Sequence, residues 1–138
     1  MPEHQNAITD IAGLKVGHAH DADALTGVTV VLCESGAVAG VDVRGGGPAT
    51  IETDALRPAH LVRQAHAIVL SGGSAFGLAA SSGVRRYLEE RGIGFDVGVA
   101  KVPIVAGASI FDLGLGRADV RPDADMGELC GTKAISPI

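Results

Sequence analysis

The residues best suited to chemistry form one short run, Gly72, Gly73 and Ser74. Glycines accept backbone angles closed to other residues, and a serine beginning a helix takes up a free amide with its hydroxyl. Such a turn can present the first amides of a helix to an anion or a carbonyl oxygen. The plainer reading of the same residues is a packed strand-to-helix turn. A second glycine run, Arg44 to Pro48 (RGGGP), offers unshielded amides of the kind found in oxyanion holes, or a simple crossover. His18 and His20 stand two apart and share one side of a strand, a spacing that serves metals. No third ligand accompanies them, so solvated or core-satisfied histidines are the preferred reading. His60 and His66 span a change of element and make a weaker pair. Asp112, Asp119, Asp123 and Asp125 lack the EF-hand spacing and its closing Glu, which favours a solvated acidic loop.

Complete catalytic signatures fail on spacing. A nucleophile elbow needs Gly-x-Ser-x-Gly, but Phe76 takes the fifth place and Gly77 falls one residue late. No Gly-Lys-Ser/Thr tripeptide is present for a P-loop, and Gly72, Gly73 and Gly77 do not fit GxGxxG.

The elements that must position these residues follow from periodicity. Ala67 to Leu70 is an unbroken apolar run that predicts a strand buried on both faces. From Ala75 the pattern becomes helical: Leu78, Ala79, Val84, Tyr87 and Leu88 share a face opposite Arg85, Arg86, Glu89, Glu90 and Arg91, and Gly92 ends it. Upstream, Leu14 to His18 predicts a strand. Gly27 to Leu32 and Ala37 to Val43 predict a hairpin turning at CESG. Thr53 or Asp54 is placed to cap a short helix opened by Pro58 and running through Leu61, Val62 and Gln64. Phe95 to Val99 and Lys101 to Val105, broken by Gly98 and Pro103, predict an edge strand. Ser109 to Leu113 predicts another short strand, and Asp123 to Cys130 a helix start.

Composition narrows the class. The 138 residues are 46% hydrophobic, enough for one core and too few for two. Aromatic residues make up 3% and the net charge is -5, which argues against nucleic acid as a partner. MPEHQNAITD has no apolar signal-peptide region and no stretch is long enough to span a bilayer, so a cytoplasmic location and no membrane partner are expected. Cys33 and Cys130 lie far apart without CxxC partners, and two reduced, partly buried thiols are expected.

The blocks NAITDIAGLKVGH, TGVTVVL, VDVRGGGPATIETD, IVLSGGSAFGLAA, VPIVAGASIFDL and RPDADMG, in this order, resemble the N-terminal part of the DmpA-like family: L-aminopeptidase/D-esterases, β-aminopeptidases and nylon-oligomer hydrolases. The likeness runs from Asn6 to about Gly127. It implies an α/β fold, part of an αββα sandwich, with a mixed sheet, a hairpin and packed helices. It also implies a precursor that cleaves itself before a Ser or Thr, whose freed residue then serves as nucleophile and amine base through an acyl-enzyme. No metal or organic cofactor is implied.

In the family the nucleophile lies beyond the matched stretch. Residues 1–138 are therefore expected to form a single incomplete domain with no catalytic residue of its own and a divergent tail over 128–138. Gly131 and Thr132 form a Gly-Thr pair but stand too early, without the family's surrounding glycines. The expected substrate-pocket residues are Gly72, Gly73, Ser74, Ser109 and Phe111. Phe111 stands where many members carry a Tyr hydroxyl, and Ser109 where aminopeptidase members carry a Glu for the substrate ammonium. The implied partners are a peptide or amide substrate once the site is completed, and either a homo-oligomer or a missing C-terminal chain. The alternative is a non-catalytic binding or oligomerisation module derived from that fold.

Overall fold

The computed structural model describes residues 6–135; residues 1–5 and 136–138, the last three of the tail among them, lie outside the described set. Two strands open the fold as a hairpin, β1 (Lys15–Asp21) and β2 (Thr26–Ala37). Their turn is set by Asp21, whose carboxylate accepts the amides of Asp23 at 3.0 Å and Ala24 at 2.8 Å. Next come β3 (Thr50–Ile51), a 3-10 turn over Thr53–Leu56, and β4 (Ala65–Ser71). A second 3-10 turn, Ser74–Ala79, leads into α1 (Ala80–Glu89), followed by β5 (Phe95–Asp96), β6 (Lys101–Val102), β7 (Val105–Ser109) and α2 (Ala124–Thr132).

The main sheet has the order β1-β2-β4-β7-β3, antiparallel except for the parallel pair β4 and β7, while β5 and β6 form a small separate hairpin. The parallel pair requires a crossover, which α1 supplies. Both helices cover one sheet face. Val28, Val30, Leu32, Val69 and Val105 point into a core closed by Ala80, Val84, Leu88 and Cys130. Strand alternation turns Thr29, Val31, Ile68, Leu70 and Ala108 to the opposite face, where Leu70 is 51% exposed. Among the described residues no helix is long and apolar enough to cross a membrane.

The mixed α/β class, the hairpin and the packed helices are present as expected, but several boundaries move. CESG is not a turn: Cys33 to Gly36 continue β2, and the register shift between Leu32 and Ala37 includes Gly36 at φ 81°. The hairpin is therefore β1 with β2, and Val38 to Val43 form no strand. Pairing decided this, because β2 is flanked by β1 and β4, which leaves residues 38–43 no free edge beside it. Within the run Ala67 to Leu70 only Ala67 and Val69 are buried, so this stretch of β4 is covered on one face and not both. The stretch expected to be helical from Pro58 to Gln64 is irregular, with the 3-10 turn lying earlier and no side-chain cap on it. Pro103 splits the expected strand at 101–105, and the strand expected over Ser109–Leu113 instead ends at Ser109 as β7. α2 begins as expected, with the Asp123 carboxylate accepting the Met126 amide at 2.9 Å.

Candidate active-site cleft

The parallel strands β4 and β7 end side by side, and the segments that follow them are joined by hydrogen bonds. Ile110 donates its amide to the Ser71 carbonyl at 2.9 Å, and Ser74 donates to the Ile110 carbonyl at 2.9 Å. Ser71 Oγ lies 2.6 Å from Ser109 Oγ and donates to the Gly77 carbonyl at 3.1 Å. Since the Ser71 proton goes to Gly77, Ser109 is the donor between the two hydroxyls.

Under this junction sits Asp112, 8% exposed. Its Oδ1 accepts the Gly73 amide at 2.7 Å and its Oδ2 accepts the Thr26 hydroxyl at 2.8 Å. Gly72 lies directly on this carboxylate, and a Cβ there would stand 1.9 Å from Oδ2. From the other side Pro122 comes so close that a Cβ on Gly73 would lie 2.8 Å from its Cδ. The Arg121 guanidinium covers the Phe76 ring at 3.9 Å. TGVTVVL, SGGSAFG, SIFDL and RPDADMG, scattered along the sequence, thus meet at one place.

Beside it opens a cleft of about 660 Å³ on the face without helices, between the β1–β2 hairpin and the ends of β4 and β7. His20, Asp21, Thr29, Leu70, Gly72 and Ser109 are among its walls. A neighbouring hollow of about 420 Å³ shares Leu70 and Ala108 with it and is bordered by Arg44 and Pro48 of the RGGGP run.

Of the expected pocket residues, Gly72 and Ser109 line the cleft. Gly73 is buried behind it, Ser74 is half-buried, and Phe111 is 76% exposed and not among the lining residues. The expected cluster of free amides is not what this turn provides: Gly72 donates to Gly27, Gly73 to Asp112 and Ser74 to Ile110. Nor does Ser74 cap a helix with its hydroxyl; it takes φ 54° and the 3-10 turn begins without a side-chain cap. Asp112, read from sequence only as one of several acidic residues, organises the junction. The one sequence signal for it was a carboxylate closing the apolar run SIF.

His18 and His20 are both exposed on β1, and His18 Nδ1 is engaged with Thr29 Oγ1 at 2.9 Å. Among the described residues no group of three or more His, Cys, Asp and Glu converges as metal ligands. Thr132 closes α2 with its hydroxyl on the Glu128 carbonyl at 3.0 Å. Cys33 and Cys130 are free and buried. Burial pushes the Cys130 thiol up to about 11, and its sulfur donates to the Gly17 carbonyl at 2.9 Å.

The sequence pattern of peptidase family S58 matches residues 6–126. The chain belongs to peptidase family S58. An uncharacterised aminopeptidase of Mycobacterium tuberculosis is 54% identical to this S58 chain over 132 residues, which cover 88% of the chain and 38% of that protein. A 6-aminohexanoate-oligomer endohydrolase of Kocuria is 36% identical over 118 residues, covering 86% of the chain and 31% of that protein. Among solved structures, the β-aminopeptidase of a Burkholderia species superimposes with a TM-score of 0.66 at 25% identity, over all of this chain and 41% of its own. The L-aminopeptidase D-Ala-esterase/amidase of Ochrobactrum anthropi, a variant of the Ntn-hydrolase fold, superimposes with a TM-score of 0.73 at 19% identity, over 96% of this chain and 41% of its own. The S58 chain therefore spans less than half the length of the relatives it matches.

Proposed function

We propose that this S58 chain forms one wall of an amide-hydrolysing pocket whose attacking group lies on a segment outside these 138 residues. The carrying observation is the cleft of about 660 Å³ bounded by Gly72 and Ser109, on the sheet face that has no helical layer. The reaction is hydrolysis of a peptide, β-peptide or ω-amino-acid amide. An N-terminal Ser or Thr, freed by self-cleavage, attacks the carbonyl and forms an acyl-enzyme. Ser109 offers a hydroxyl and no carboxylate to a substrate ammonium, which speaks against strict specificity for a free N-terminal amine. The reaction belongs in the cytoplasm, where Cys33 and Cys130 stay thiols.

Assays of the purified 138-residue chain with aminoacyl p-nitroanilides and 6-aminohexanoate oligomers are expected to give no turnover. Co-expression with the part of the Mycobacterium tuberculosis relative that lies beyond its match is expected to restore turnover, and replacing the nucleophilic Ser or Thr of that part to abolish it again. Turnover by the chain alone that survives Thr132→Ala and chelation would refute this reading. A second reading, a non-catalytic assembly module, draws on Leu70 and Ile110, 51% and 69% exposed. It requires a defined oligomer of the chain alone in light scattering, and a well-folded monomer excludes it.

A further inference from the structure

The geometry points to Asp112 as the positioning residue of the cleft: beside the Gly72–Gly27 backbone bond, its carboxylate ties the Gly72–Gly73 turn to the start of β2. This role presupposes the amide-hydrolase reading above, but the contacts that carry it do not.

Asp112 bridges segments far apart in sequence, Thr26 at the start of β2 and Gly73 after β4. Both segments border the cleft, as Asp112 does, and the Gly72 amide also donates to the Gly27 carbonyl beside Thr26 at 2.9 Å. A carboxylate suits this place because it accepts at both oxygens, whereas both partners, an amide and a hydroxyl, approach as donors. Bonds to an ionised acceptor are the stronger kind, and burial excludes competing water. The absence of a side chain at Gly72 lets the backbone sit on the carboxylate, where a Cβ would stand 1.9 Å from Oδ2. The turn in turn fixes Ser71 and Ile110 through the bonds between the two strand ends. Displacing it moves the cleft wall relative to any group that attacks from the open face. Misplacements near 1 Å lower rates by about a hundredfold in enzymes that depend on alignment.

Asp112→Asn keeps shape but gives the Gly73 amide a neutral acceptor in place of an ionised one, its own amide turning to the Thr26 hydroxyl; Thr26→Val removes one donor and leaves the carboxylate in place. In the 138-residue chain, amide hydrogen exchange at Gly73 is expected to rise on the order of tenfold in Asp112→Asn, while the core amides of β4 are unchanged. Thr26→Ser should behave as wild type. In the co-expressed hydrolase, Asp112→Asn is expected to lower kcat roughly tenfold with little change in KM. Thr26→Val should lower kcat less, and the double variant should be no worse than Asp112→Asn alone, since both act through one contact. Unchanged exchange at Gly73 in Asp112→Asn overturns the clamp. Faster exchange with undiminished kcat overturns its positioning role. Absence of turnover with wild-type sequence counts against the hydrolase reading and the positioning role together, and the exchange measurement still decides the clamp.

Discussion

At His66 protonation of the ring competes with a hydrogen bond of the fold. The Ile104 amide donates to Nδ1 at 3.1 Å, so that nitrogen carries no hydrogen and the neutral ring is protonated at Nε2. Burial lowers the folded-state pKa below the ordinary 6.5. The unfolded chain therefore binds more protons in the window below 6.5. The associated stability is complete above that value and is lost as pH falls toward the folded pKa. Between pH 7.5 and 5.5 the wild-type denaturation midpoint should drop further than that of His66→Asn, whose oxygen still accepts the Ile104 amide; equal drops would contradict this. Cys130, with its thiol raised to about 11, should resist thiol reagents at pH 8 in the native chain and react once unfolded. Gly72→Ala places a methyl group on the Asp112 carboxylate and should destabilise by about 1–3 kcal/mol in urea unfolding. Glycines at 72 and 73 were legible in the sequence as a special turn. That their amides bond inward was not, because the acceptors, Gly27, Asp112 and Ile110, come from other segments.

Between the elements, the helix pair owes its closeness to missing side chains. A Cβ on Gly83 would stand 1.7 Å from the Ala124 carbonyl oxygen, and one on Gly127 2.0 Å from that of Ala80. These neighbours are backbone and cannot rotate aside. Gly83→Ala should therefore push α2 away from α1 and lower stability by about 1–3 kcal/mol, read as a shift in denaturant midpoint; an unshifted midpoint would show that the crossing tolerates a wider spacing. Arg85 adds a tie across the sheet, pairing with Glu52 at 2.6 Å and donating to the Val105 carbonyl at 3.1 Å. α1 was legible because its buried and exposed residues follow helical period. The hairpin boundary was not. Gly36 suits a turn and a bulge equally, and the two-sided pairing of β2 chose the bulge.

For the whole molecule, the decisive feature is a sheet with both helices on one face. Leu70→Glu on the opposite face should leave the 138-residue chain within about 0.5 kcal/mol of wild type, since that side chain is half in water. The same change should stop the chain from co-purifying with a co-expressed remainder of an S58 relative. Undisturbed co-purification would mean that the remainder packs elsewhere. The sequence by itself determined the S58 membership, the strand–turn–helix around Gly72 and Gly73, the start of α2 and the thiol character of the cysteines. These follow from local periodicity, turn chemistry and long blocks in order. Only the tertiary structure decided which face of β4 is covered, where the hairpin turns, and that Asp112 joins Thr26 to Gly73 across 86 and 39 residues of chain. Such contacts depend on how strands are ordered in the sheet, and strand order is fixed by pairing between distant segments rather than by any local signal.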